Sequence, residues 1–284
     1  MAGVLKEGGL DSQNDETDIL VFLDKTAIDE FTGIFQTRFD SLVKGDKETR
    51  KSVIKELGTV LAQHVRAPDI ALFGRMLALK PDTPFGKNSL NVIAACQVAH
   101  AISTHKVGVE FDFYTAMDDL KTLEDEPGAG MMGTVEFNSA CFYRYANIDC
   151  NQLKRNLGDD KELTQETVEA FIRAAVNAIP TGKQNSFAAQ NPPSFVCAIA
   201  RSSGTWSLAN AFAKPVWVGD NGDLVQKSTD ALLAYWDKLV EVYSDKDIKE
   251  KAAFTLEERD MKGIDSGNLE RLINQVNKAI AADC

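Results

Sequence analysis

The sequence is poor in the residues that usually carry chemistry. Its five cysteines, at 96, 141, 150, 197 and 284, are scattered, odd in number and without a CxxC pair. That spacing excludes a disulfide framework and a cysteine-based zinc site as organising features. Histidines number three, His64, His100 and His105. No apolar run approaches the ~20 residues of a membrane span. The opening segment, MAGVLKEGGLDSQNDETD, lacks the basic-then-apolar order of a signal peptide. A cytoplasmic protein with no membrane partner is the expectation.

Positive charge is also in deficit, with 31 Lys and Arg against 42 Asp and Glu and a net charge of −11. The total argues against a nucleic-acid partner, because phosphate binding is driven by Lys and Arg. The distribution is less simple. Acidic residues crowd positions 11–30, 124–126 and the tail from Asp220 onward, but none lies between Thr181 and Gly219, where Lys183, Arg201 and Lys214 sit. Lys44, Lys47, Arg50, Lys51 and Lys55 share a predicted helix. A negative protein can still hold a local basic track, although a solvated charged face is the ordinary reading of such a helix.

At 284 residues with 44% hydrophobic content, the chain can bury a substantial core as one large domain or two small ones. Residues 1–16 read as a flexible head, and 18–39 as a short helix or two. Val53, Ile54, Leu57, Val60 and Leu61 keep helical spacing over 48–65, and His64 extends that stripe as a satisfied buried histidine. Residues 70–79 (IALFGRMLAL) read as a strand whose Gly74 marks a bulge or close backbone approach. The run 90–101 is too continuously apolar to decide between helix and strand. Val109, Phe111 and Phe113 alternate with Glu110, Asp112 and Tyr114, as on a two-faced strand. A glycine-rich loop would join it to a second strand region, 134–148, as a hairpin. A helix over 164–179, a strand over 195–200 and helices over 229–243 and 268–280 complete an α+β pattern with no internal repeat.

The candidate chemistry fails on spacing. His100 and His105 are five apart and make a poor metal pair on helix or strand; one could act as a general base, but no partner identifies it. Asp118 and Asp119, if on a strand, face opposite ways. Gly128, Gly130 and Gly133 form GxGxxG, but 134–137 reads as strand where a dinucleotide site needs a helix. PTGKQNS at 180–186 lacks half of the phosphate-loop pattern, and Lys183 is not followed by Ser or Thr. Phe113 and Tyr114 are different. Neighbours on a strand cannot both face one core, so one must face solvent, and exposed aromatics on a hairpin are what single-stranded RNA recognition uses. No catalytic residue, cofactor or metal is assigned.

Taken together, HAISTHKV (100–107), FDFYTAMDDL (111–120), GAGMMGTVEFNSACFYRYANID (128–149) and PTGKQNSFAAQNPP (180–193) resemble the CasC family. This is the backbone subunit of the type I-E CRISPR surveillance complex Cascade, in the RAMP superfamily. The resemblance runs from about Glu48 to about Tyr243. It implies an RNA-recognition-motif-like (ferredoxin-like) palm with a helical finger insertion and a β-hairpin thumb. Positions 1–66 would be the head and finger region; 67–284 would be the palm, with the thumb near 107–135. Copies would stack along the CRISPR RNA and present it to target DNA beside other Cascade subunits, without catalysis. By resemblance, Met76 would wedge near a kinked nucleotide and Phe113, Tyr114 and Thr115 would form the thumb contact. Lys183 and Gln184 would lie near the RNA path, and Lys47, Arg50, Lys51 and Lys55 would touch DNA phosphates. Family members begin with a strand and a basic segment that this sequence does not show, so the first palm strand and helix are expected to be missing. Two other readings stay open: a RAMP-type endoribonuclease processing CRISPR RNA, and a purely structural assembly module.

Overall fold

The computed structural model describes residues 2–13, 16–87, 90–116, 131–219, 222–257 and 263–283. The head read as flexible carries a short helix, α1 (Ala2–Gly8), and a two-residue ladder of β1 (Ser12–Gln13) with β2 (Glu16–Thr17). Val4 and Leu10 are buried in one cluster with Phe85. Gly8 has no Cβ to strike that ring, and its carbonyl accepts from the Phe85 amide (3.0 Å).

The segment read as a short helix or two holds one long helix, α2 (Lys25–Val43). Asp24 caps it by accepting from the Ala27 amide, and Gly45 at φ +78 lets the chain turn after Lys44. Asp46 then caps α3 (Lys47–Gln63), accepting from the Glu48 and Thr49 amides. Val53, Ile54, Leu57 and Leu61 are buried with Phe35, Leu77, Phe85 and Leu90, and Val60 is buried too, as their 3.6-residue spacing requires. His64 ends α3 and returns to the start of α2: Nδ1 lies 3.0 Å from Asp24 and Nε2 lies 3.2 Å from Glu30. It is a satisfied, mostly buried histidine, but satisfied by two carboxylates.

The strand expected over 70–79 is a correction. Pro68 and Asp69 start a helix, α4 (Pro68–Phe73), because proline fits the first helical position and an acid suits the first turn. The helix stops at Gly74, at φ +79, where a Cβ would meet the Val92 carbonyl at 2.7 Å. Beyond it Arg75 forms a single antiparallel bridge to Val92. Arg75 and Leu77 turn inward while Met76 turns out.

Residues 90–101 are extended. They lead into β3 (Cys96–Val98), β4 (Ile102–Ser103) and β5 (Glu110–Ala116), which pair antiparallel with β8 (Ala146–Ile148), β7 (Phe142–Tyr143) and β6 (Met131–Phe137) respectively. The expected second strand over 134–148 is thus broken into pieces. Then come α5 (Cys150–Asn156), α6 (Lys161–Asn177) and a single turn, α7 (Gln184–Phe187). The α6 helix stops as Ala178 becomes extended ahead of Pro180.

The largest sheet has order β11-β10-β9, built from β9 (Phe195–Arg201), β10 (Ile248–Thr255) and β11 (Asp265–Ser266). β9 and β10 run antiparallel, β10 and β11 parallel. Its apolar strand sequence is covered on both faces. On one, Leu272, Ile273, Val276 and Ile280 of α9 (Leu269–Asp283) pack with Val168 of α6 and Ala252. On the other, Phe195 and Ile199 meet Leu232 and Trp236 of α8 (Leu224–Tyr243). The fold is α+β, with helices on small sheets. No helix among the described residues is long and apolar enough to cross a membrane.

Candidate nucleic-acid interface

The three short ladders from Cys96 to Ile148 form one antiparallel arm. Cys96 pairs with Ile148, Ile102 with Tyr143, and Glu110 with Phe137, continuing to Ala116 with Met131. Between paired segments, residues 99–101 face 144–145 and 104–109 face 138–141. The first strand therefore carries extra residues, which interrupt the ladder and bend it. The root is fixed: Cys96 is buried in the main core with Ile148 packed against it. Further out, the Tyr143 hydroxyl accepts from the Leu208 amide (2.9 Å) and its ring meets Phe212 at 5.5 Å.

The outer arm is exposed. Phe113 stands 76% open to solvent and Phe111 beside it on the same face is also exposed. Tyr114 faces the other way and pairs with Gly133. A Cβ at 133 would run into the tyrosine ring, so that ring lies across the glycine and is only 44% exposed. Phe113 is thus the free aromatic of the pair, and Thr115 is exposed on its face. Glu110, Asp112 and Glu136 are the only charged residues in 109–116 and 131–137. This part of the arm suits stacking on bases better than gripping phosphates. Residues 117–130, including Asp118, Asp119, Gly128 and Gly130, lie outside the described residues. Gly133 sits within β6 with no helix after it, so the dinucleotide pattern has no counterpart there.

The loop bearing Lys183 and Gln184 lies against this arm. Phe187 meets Phe137 of β6 at 5.1 Å. Arg144, just beyond β7, donates to the Ala175 and Ala178 carbonyls at the end of α6 (2.9 and 3.2 Å). Gln184 is turned onto its own loop: its amide donates to the Pro180 carbonyl (2.7 Å) and its oxygen accepts from Gln190 (3.0 Å). Its side chain therefore shapes the loop. Lys183, in the left-handed region at φ +62, is exposed.

Met76 is 81% exposed and is presented by a buried arginine. Arg75 donates to the Leu90 carbonyl through Nε and Nη2 (3.2 and 3.0 Å). It also donates to Leu61 through Nη2 (3.1 Å) and to Phe22 through Nη1 (3.4 Å). Burial pulls its pKa down, but it remains a cation at neutral pH. Met76 belongs to the helical core's side of the molecule. The four basic residues of α3 are unequal: Arg50 pairs with Glu7 (2.9 Å) and Lys51 with Glu48 (3.1 Å), whereas Lys47 and Lys55 have no ion pair among the described residues. Lys51 and Lys55 line an open groove of about 450 Å³ with Ile54, Gly58, Thr59 and Pro84.

Of the two histidines weighed as a base, His100 is exposed and His105 is held by backbone groups. His105 accepts from the Cys141 amide at Nε2 (3.3 Å) while Nδ1 lies 3.0 Å from the Lys106 carbonyl. Burial pushes the Cys96 thiol up to about 11 and the Cys197 thiol up to about 12, so neither supplies a thiolate. No group of three or more metal-ligating side chains occurs among the described residues.

The family model for CT1975-like proteins matches residues 2–279. The chain belongs to this CT1975-like family. No curated protein matches it. Among solved structures it is similar to a chain of a "CRISPR RNA-guided surveillance complex, pre-nicking", with a TM-score of 0.77 and 29% identity over 98% of this chain and 76% of that one. A chain of a "CRISPR RNA-guided surveillance complex" matches with a TM-score of 0.61 and 31% identity, over 79% of this chain and 83% of that one.

In this CT1975-like chain, the structure brings Phe113, Tyr114 and Thr115 together with the Lys183 loop. Met76 and the α3 cations are held separately on the helical core. Sequence reading missed Arg75, Gly133 as the seat of the Tyr114 ring, and exposed Trp217. The signal for the first was an arginine between apolar neighbours in LFGRML.

Proposed function

We propose that the chain is a CRISPR RNA-binding backbone subunit of an RNA-guided surveillance complex of the type I-E Cascade kind, acting without catalysis in antiviral defence. The observation that carries the reading is the arm: rooted in the core at Cys96 and Ile148, it holds Phe113 out to solvent on a chain whose family and structural neighbours are of CRISPR type. In this reading the arm is the thumb, β9–β10–β11 with α6 and α9 is the RNA-recognition-motif-like palm, and α2–α3 is the finger. Copies polymerise along the guide, Met76 and Phe113 interrupt its stacking, and the open Lys47 and Lys55 approach target DNA phosphates beside other subunits. The engagement of His105 by backbone groups supports a binding role over a ribonuclease.

The test is fluorescence anisotropy of labelled single-stranded RNA titrated with the full chain. Stacking on one aromatic contributes ~1–3 kcal/mol per base, so Phe113→Ala is expected to weaken binding about 5- to 150-fold while the RNA stays uncleaved. Equal affinity of the variant and the parent, or cleavage lost on His105→Ala, contradicts the proposal.

A further inference from the structure

Residues 213–219 leave the 3-10 turn Ala209–Phe212 and run beside the arm. The Val216 amide donates to the Thr104 carbonyl (2.9 Å). Thr104 is buried, and its hydroxyl accepts from Ser228 of α8 (2.8 Å). Pro215 restricts the backbone just before this anchor. Val216 and Val218 are half-buried, and Trp217 between them faces outward, 88% exposed. The other two tryptophans pack on each other, Trp206 against Trp236 at 5.5 Å. One indole is therefore held in water on a fixed backbone, next to the middle of the arm that carries Phe113, between β4 and β5.

Its surroundings favour a nucleobase over an apolar protein face. The exposed residues that flank it in the chain are Ala213, Lys214, Pro215 and Gly219, which add a cation and no large apolar side chain. The stretch 181–219 has no carboxylate and holds Lys183, Arg201 and Lys214. Asp220 follows that stretch directly and lies outside the described residues, and Asp223 is engaged as the cap of α8, accepting from the Val225 and Gln226 amides (2.8 and 3.1 Å). A lone aromatic with a nearby cation and a preordered backbone suits single-stranded nucleic acid, where every base offers a π-face.

We propose that Trp217 is a second base-stacking platform, taking a nucleobase of single-stranded RNA beside the middle of the arm at Thr104. This rests on the RNA-binding reading above. The full chain is titrated with a single-stranded oligouridylate, following anisotropy and the quenching of tryptophan fluorescence by iodide. RNA is expected to shield Trp217 from iodide. Trp217→Ala should weaken binding about 5- to 150-fold, the loss of one stacked base, with an unchanged melting temperature, and Trp217→Phe should restore most of it. If the parent binds RNA in a Phe113-dependent way but iodide still reaches the indole and Trp217→Ala binds equally well, this inference falls and the RNA-binding reading stands. If the parent does not bind RNA, both fall. Shielding of Trp217 by raised protein concentration without RNA assigns it to a protein contact and overturns the inference.

Discussion

Replacing Arg75 by methionine tests how the exposed Met76 is held. The guanidinium is buried and donates to carbonyls of three segments, at Phe22, Leu61 and Leu90. Leu61 lies in the last turn of α3, where carbonyls lack helical partners and a cation is favoured by the negative end of the helix dipole. Hydrogen bonds from a charged donor contribute ~1.5–3 kcal/mol each, and a carbonyl left buried and unpaired loses its compensation. Against this stands the desolvation of the cation, several kcal/mol, which methionine does not incur. The difference leaves a net loss of ~2–4 kcal/mol for Arg75→Met. Urea unfolding of the full chain should show the midpoint shift with little change in slope. A loss below ~1 kcal/mol, or a gain, would refute the claim that this arginine joins the three segments.

Three further outcomes follow from the same geometry. His64 has its pKa raised chiefly by the Asp24 carboxylate and further by Glu30, and Asp24, although burial pushes it up, is brought below its usual value by the Ala27 amide and the His64 ring. The stability that His64 contributes relative to His64→Gln should thus be fully present below pH 6.5, the ordinary histidine value, and disappear as pH rises through its raised value; denaturant midpoints of both proteins across pH 5 to 9 check this. Gly74→Ala should cost ~2 kcal/mol or more in thermal unfolding, because alanine is strained at φ +79 and its Cβ would meet Val92 and Ala94 backbone. Phe187→Ala removes a ring contact worth ~0.5–1.5 kcal/mol beyond its buried area, and should raise amide exchange in 181–190 and weaken RNA binding while the arm's own exchange is unchanged.

Much of the fold was legible where one face of an element meets one core. The stripe Val53–Leu57–Val60–Leu61 and the last helix, with Leu272, Ile273, Val276 and Ile280 buried, follow their spacing because burial is one-sided. The run 70–79 misled because α4 is short and buried on several sides, so it has no period to read; the Pro68–Asp69 start was the better signal. The head reads as flexible by composition, but Val4 and Leu10 are buried in one cluster with Phe85, some 75 residues away, which no local pattern reports. At the site, alternation of Phe113 and Tyr114 required one ring to face solvent, and the structure selects Phe113 because Gly133 makes room for the other. That choice depends on cross-strand register, which the sequence of one strand does not contain. Likewise the ion pairs of Arg50 and Lys51 depend on Glu7 and Glu48, and thin a basic face that counting lysines overstates.

The central claim is that the arm contacts guide RNA through Phe113. Its most direct test is photocross-linking of the full chain to a single-stranded RNA carrying 4-thiouridine, with the modified residue located by mass spectrometry. The account predicts cross-links at Phe113, lost in Phe113→Ala under conditions where the variant remains folded. Cross-links confined to α3, or cross-linking that persists unchanged without the Phe113 ring, would contradict it.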